Sequence, residues 1–184
     1  DLHSFPTRRS SDLWQIVPVG APHPLALRSL RGRIVSGAAL QYMWFKTPLL
    51  PERSLRTTSG VDRLLRSWAG PRTRQAAAEP AGYYAALMAR PGAAHSALET
   101  VRRAVLSREE IACLSALARI PVMSVQGDMD PVQPAQAYAR DVHHVTEHLR
   151  QVIVRGVGHF PHEEAPERFV DALLPFLSEV GRQR

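Results

Sequence analysis

Asp130 and His159 are the two residues in this 184-residue chain whose types and spacing could do chemistry together. Asp130 stands in Gln126-Gly127-Asp128-Met129-Asp130-Pro131-Val132, and His159 stands 29 residues further on, in Val157-Gly158-His159-Phe160-Pro161-His162. A carboxylate that accepts a hydrogen bond from one imidazole nitrogen fixes the ring's tautomer and stabilises its charged form. The other nitrogen is then free to act as a general base. Asp128, two residues earlier, is a second candidate for the acid. His159, His162, Glu163 and Glu164 also resemble a metal cluster in composition. Helical zinc sites need two histidines four residues apart; here the spacing is three, across Pro161. His144 and His148 have the four-residue spacing, but no Glu stands where such a site needs one. We expect no metal, and we expect His143, His144 and His148 to face solvent.

Two strands must deliver the pair. Residues 120–127 and 151–156 each form an apolar, β-branched run stopped by glycine, the pattern of a buried parallel strand and its exit loop. Residues 133–148 between them have the length of a helix, so strand, helix and strand form one crossover unit. Such a unit puts both exit loops on one edge of the sheet, where ligands gather in open parallel sheets.

The runs "Pro-Val-Met-Ser-Val-Gln-Gly-Asp-Met-Asp-Pro-Val" and "Val-Gly-His-Phe-Pro-His-Glu-Glu-Ala-Pro-Glu-Arg-Phe" resemble the last third of α/β-hydrolases. The resemblance implies that Asp130 is the triad acid, delivered by the seventh strand, and His159 the base, delivered by the eighth, in the chain order nucleophile, acid, histidine. Residues 14–19, ending before Pro22-His23-Pro24, resemble the sixth strand of the epoxide-hydrolase and haloalkane-dehalogenase branch. Pro18 counts against a central place in a sheet, and His23 reads as a turn residue where the chain leaves that sheet.

From residue 25 to 107 the pattern turns helical: 25–40, 61–68, 79–88 and 93–105, with an aromatic patch at 41–52 broken by Pro48 and Pro51. A helical insertion flanked by strands looks like a cap or lid over an α/β site, placed as in that same branch. Epoxide hydrolases use two lid tyrosines, and by motif these positions fall at Trp44 and near Val101; Tyr42, Tyr83 and Tyr84 are off by the helical phase. Epoxide opening is thereby marked down. The Trp44 indole N–H is the kind of donor dehalogenases use, although an aromatic in a lid is more often plain packing. Tyr42, Trp44 and Phe160 are the candidate substrate contacts. Ser107 and Glu110 form a capping box opening a helix to about residue 119. In 166–180, Phe169, Leu173, Phe176, Leu177 and Val180 form one apolar stripe around Pro175.

The expected fold is thus α/β: the C-terminal portion of an α/β-hydrolase, with core segments 14–24 and 108–184 and a helical cap at 25–107. Residues 1–13 contain Thr-Arg-Arg-Ser-Ser-Asp-Leu, which looks like a sequencing adaptor translated in frame. They are expected to be non-native, and the chain to be a fragment. At 45% hydrophobic and 22% charged residues the composition is that of a globular protein. No run approaches the ~18 apolar residues of a membrane span. The net charge of +6 comes from 23 basic residues, all Arg except Lys46. They are scattered, without an aromatic platform, and that argues against nucleic acid. A single cysteine, Cys113, forbids an internal disulfide and suits the cytoplasm.

No Gly-x-Ser-x-Gly elbow occurs; Ser36 and Ser59 lie in the helical stretch. Without nucleophile and oxyanion hole this polypeptide is expected to be inactive. Its parent is expected to hydrolyse a small-to-medium apolar substrate (ester, haloalkane or epoxide) through a covalent intermediate, without cofactor. The alternatives are an acyltransferase relative and a non-catalytic binding protein on the same fold.

Overall fold

The computed structural model describes residues 15–29, 38–103, 107–115, 120–133, 135–144 and 148–180. In chain order the elements begin with α1 (Pro24–Ser29), α2 (Ala38–Phe45), α3 (Leu50–Leu55), α4 (Thr58–Trp68) and α5 (Arg74–Ala78). There follow α6 (Ala81–Met88), α7 (Ala93–Arg102), α8 (Arg108–Ser115), β1 (Val122–Gly127) and α9 (Ala135–Ala139). The chain closes with β2 (Leu149–Val154), α10 (Pro161–Glu164) and α11 (Pro166–Val180).

β1 is buried at every position and pairs in parallel with β2, Val122 opposite Leu149 and Gly127 opposite Val154. Residues 16–20 run along the other edge of β1. Ile16 N–H donates to Pro121 O (3.0 Å), Met123 N–H to Ile16 O (2.9 Å), Val125 N–H to Pro18 O (3.0 Å), and Gly20 N–H to Val125 O (2.9 Å). The step this ladder lacks is the one for which Pro18 has no N–H. The strand expected over 14–19 therefore exists as two parallel bridges, Ile16 with Val122 and Val19 with Val125; Trp14 lies outside the described residues. β2 is less buried than its apolar run suggests. Only Val154 is buried, and Ile153 is 58% exposed, as befits the outer strand of the three.

The crossover departs from the expected single helix. α9 is five residues long and is followed by a 3-10 turn at Asp141–His143. Tyr138 and Asp141 are both buried, at 1% and 2% exposure, and a 3-10 turn eclipses side chains three apart. His144 is half-buried and stacks on His23 (centroids 4.7 Å, 14°), which corrects its expected solvent exposure; His143 and His148 are exposed.

The helical layer breaks where its chemistry dictates. α4 starts because Thr57 accepts from Gly60 N–H (3.1 Å) and buries Val61 and Leu65. The helix expected over 79–88 is α6, which starts after Pro80 and is preceded by the separate α5. α7 begins after Gly92, whose positive φ of 76° suits glycine. Of the helix expected over 25–40, the described residues hold α1 and the first residues of α2; residues 30–37 lie outside them. The capping box forms, with Ser107 N–H to Glu110 Oε2 at 2.7 Å and Glu110 N–H to Ser107 Oγ at 3.1 Å. Arg102 fastens this layer internally. It donates to Glu52 (2.6 Å), Phe45 O (2.9 Å) and Thr47 O (2.8 Å).

Two apolar cores result. One lies among the helices, around Phe45, Leu55, Val61, Leu65, Ala81, Ala85 and Leu98. The other lies under the sheet, around Met123, Val125, Val154, Val157 and Phe176, with Phe169 and Leu173 against it. Leu177, expected in that stripe, is instead 44% exposed beside Val170 (41%) and Leu174 (56%). These three share an outer stripe one residue, or about 100°, round from the inner one. No helix among the described residues is long and apolar enough to cross a membrane.

Candidate active site

The loop after β1 and the loop after β2 meet, and they bring Asp130 to His159. His159 Nδ1 lies 2.9 Å from Asp130 Oδ2, with the side chains 15% and 2% exposed. The other carboxylate oxygen accepts the backbone N–H groups of Val132 (2.7 Å) and Gln133 (3.0 Å). An Asp two residues before an acceptor-seeking N–H closes such a loop readily, and here it fixes the carboxylate's orientation. Asp128, the other candidate acid, is exposed and accepts Gly156 N–H (2.5 Å). It ties the two loops together and leaves the imidazole to Asp130.

Four backbone segments crowd around His159, and glycine makes that possible. A Cβ on Gly158 would lie 2.4 Å from Trp68 O and 2.5 Å from Gly70 N; one on Gly127 would lie 2.1 Å from Gly158 O. Gly20, at φ 61°, would meet His159 O at 2.5 Å. The end of α4 completes the enclosure. Trp68 O accepts His159 N–H (2.9 Å). The Trp68 indole stands edge-on to His159 (5.1 Å, 88°) and stacks on Phe160 (5.9 Å, 19°). Its Nε1 is buried with no hydrogen-bond partner among the described residues.

Glu164, 5% exposed, binds this corner together. Its Oε2 accepts Gly70 N–H (2.8 Å), Gly158 N–H (2.7 Å) and the Thr73 hydroxyl; its Oε1 accepts Phe160 N–H (3.0 Å). One carboxylate therefore holds both sides of His159 and the loop after α4.

His159 opens onto an apolar cavity of ≈ 450 Å³ between the helical layer and the histidine loop. Its wall includes Leu65, Trp68, Leu98, Val101 and Phe160, with Tyr84, His162 and Glu163 as its polar members beside His159. Phe160 thus lies where the sequence places it. Trp44 and Tyr42 are not in the wall: Trp44 packs against the helical core, and Tyr42 sits on the Asp130 side. Burial first, and then the Asp130 charge, raise the Tyr42 hydroxyl above its ordinary pKa, against a hydrogen bond with Gln133. Val101 does line the cavity, and so does Tyr84, which helical phase had set aside. The Tyr84 hydroxyl donates to Glu163 Oε1. Burial, then that hydrogen bond and the carboxylate's charge, push it up to about 12.

Behind Asp130 the surroundings are acidic and dry. Tyr138 is raised well above the usual phenol range, by burial first and then by the charges of Asp130 and Asp141. Its hydroxyl lies next to Asp130 without a hydrogen bond of normal geometry. Asp141 is raised to about 6 by burial, against the His23 N–H that it accepts at 2.8 Å. His23 and His144 are both lowered, chiefly by burial. No group of three or more His, Cys, Asp or Glu among the described residues could hold a metal ion.

Sequence reading missed Trp68, Tyr84, Glu163 and Glu164 as parts of this site. The turn Pro161-His162-Glu163-Glu164, directly after the histidine, was the available signal for the two glutamates. Nothing local marks Trp68 or Tyr84, which arrive from more than 70 residues away.

Known proteins place this geometry in context. Cfl2 from Burkholderia cenocepacia superposes with a TM-score of 0.69 at 22% identity, over 90% of this chain and 57% of that one. The Cif epoxide hydrolase from Acinetobacter nosocomialis gives 0.68 at 19%, over 95% and 57%. At those identities the likeness is one of fold. A Mycoplasma genitalium protein carrying an esterase/lipase name is 33% identical over 64 residues, 35% of this chain and 24% of that protein. The chain therefore spans little more than half the length of the solved structures it resembles, and about a quarter of that curated relative. Residues 14–172 match the sequence profile of the Alpha/beta hydrolase family. With parallel strands, flanking helices and a histidine loop folded as described, this chain belongs to the alpha/beta hydrolase family.

Proposed function

We propose that this chain carries the acid and histidine of a hydrolase site, with His159 as general base and Asp130 as its orienting acid. The reading rests on the 2.9 Å contact between His159 Nδ1 and an Asp130 carboxylate whose other oxygen is held by two backbone amides. With Nδ1 so engaged, Nε2 is the nitrogen left for proton transfer. The nucleophile and the oxyanion hole belong, in this reading, to the part of the fold that the longer relatives have and this chain does not span. The base serves a covalent intermediate on an ester, haloalkane or epoxide. A 450 Å³ apolar cavity under helices 25–107, which act as the lid, supports a small-to-medium apolar substrate. The setting is cytoplasmic, where Cys113 remains the exposed free thiol that it is here.

The test joins this chain to its natural upstream sequence, read from the source gene. A Gly-x-Ser-x-Gly elbow in that sequence predicts p-nitrophenyl ester turnover; an Asp in its place predicts halide or epoxide chemistry. His159→Ala should lower kcat by about 10³-fold or more with the fold intact. Turnover unchanged in that variant would defeat the assignment, and an upstream sequence without any elbow would favour a binding protein.

A further inference from the structure

Among the described residues lining the cavity there is one carboxylate, Glu163, and no Arg or Lys, although the chain as a whole carries a charge of +6. Glu163 is held in place: its backbone N–H donates to Phe160 O (2.9 Å), and its Oε1 accepts the Tyr84 hydroxyl. Its Oε2 has no donor among the described residues, and the side chain is 24% exposed. His162 Nε2 lies 3.9 Å from Oε1. An acceptor with one committed and one uncommitted oxygen therefore belongs to the wall of an apolar chamber that His159 also lines.

We propose that Glu163 sets ligand specificity, selecting apolar molecules that carry a hydrogen-bond donor (an ammonium or a hydroxyl group) and rejecting carboxylates. This rests on the reading of the cavity as the substrate chamber and deepens it by naming the polar group of the substrate. A donor reaching Glu163 Oε2 makes a charge-assisted hydrogen bond inside a low-dielectric wall. A carboxylate placed there meets like charge, with no Arg or Lys among the described lining residues to offset it. Tyr84 acts as a positioning residue: by occupying Oε1 it turns Oε2 toward the ligand. The apolar remainder of the wall contributes affinity and the carboxylate contributes discrimination.

Ligand-observed NMR titration of the 184-residue chain at pH 7 tests this with four probes of one size: benzylamine, benzyl alcohol, toluene and benzoate. Benzylamine and benzyl alcohol should bind at least about tenfold more tightly than benzoate. Glu163→Gln, its fold checked by circular dichroism, should bring benzylamine and benzoate to within about threefold of each other. Tyr84→Phe, which removes the donor that positions the carboxylate, should narrow the preference for benzylamine over benzoate, and it serves if Glu163→Gln fails to fold; a preference unchanged in that variant would then overturn the proposal. Benzoate binding as tightly as benzylamine, or a preference that survives in folded Glu163→Gln, would overturn the proposal. Toluene binding equally with benzylamine, benzyl alcohol and benzoate would overturn it too, while leaving the chamber itself in place. Failure of all four to bind removes the chamber, and the proposal with it.

Discussion

His159 is held from several sides at once: Asp130 at Nδ1, Trp68 O at its own amide, and Glu164 at the amides on either side of it. A buried carboxylate that accepts three backbone N–H groups leaves all three without acceptors when it is removed, and each unsatisfied buried donor costs about 1–3 kcal/mol. Part of that loss is recovered by water or by loop movement. Glu164→Ala should therefore destabilise the protein by about 3 kcal/mol and loosen the histidine loop first. Native-state hydrogen exchange checks this. The Gly158 and Phe160 amides should exchange well ahead of Val125 in the variant, and amides that stay locked to global unfolding would count against the clamp.

At the scale of elements, the junction of α1 with the crossover carries a titrating cluster: Asp141, His23 and His144. Asp141, raised from 3.8 to about 6, binds its proton more tightly folded than unfolded. Its contribution is fully present below pH 3.8 and is lost as pH rises through 6. A rise of that size corresponds to about 3 kcal/mol. The histidines act in the opposite sense: lowered in the folded state, they reduce stability as pH falls below their ordinary value of 6.5. Asp141→Asn keeps an oxygen for His23 N–H and removes the acid. Denaturation at a series of pH values should find this variant more stable than the parent chain by about 2–3 kcal/mol at pH 7.5. Its stability should then fall between pH 7 and 5, with the histidines' sign alone. A parent and variant with parallel pH profiles would show that Asp141 titrates normally.

The whole molecule joins two apolar cores through one corner, where the end of α4 meets the histidine loop. That corner holds an acid, a base and a chamber. Among the described residues no serine occupies a strand-to-helix elbow; Ser59 is exposed near the start of α4, and Ser36 lies outside them. An imidazole without a nucleophile or an oxyanion hole lacks the largest electrostatic contribution to acyl transfer. The 184-residue chain alone should therefore hydrolyse p-nitrophenyl butyrate no faster than His159→Ala does. A difference between the two would mean that the nucleophile is already within this chain.

Asp130, His159 and their strands were legible because each depends on a few consecutive residues: a β-branched run, a stopping glycine, a loop. The capping box at Ser107 and the break at Gly92 were readable for the same local reason, whereas the helix expected from residue 79 starts only after Pro80. The rest belongs to tertiary structure. Whether 16–20 forms a full strand depends on which carbonyl Pro18 faces. Whether Leu177 is buried depends on which stripe of α11 meets the sheet, and whether Tyr84 or Trp44 reaches the cavity depends on how α2, α4 and α6 pack. Local sequence determined the acid, the histidine and the type of element that carries each, because short-range backbone preferences and periodicity suffice for that. Only the packing of distant segments decided what surrounds the imidazole, because Trp68, Tyr84 and Glu164 act through contacts that span up to 94 residues.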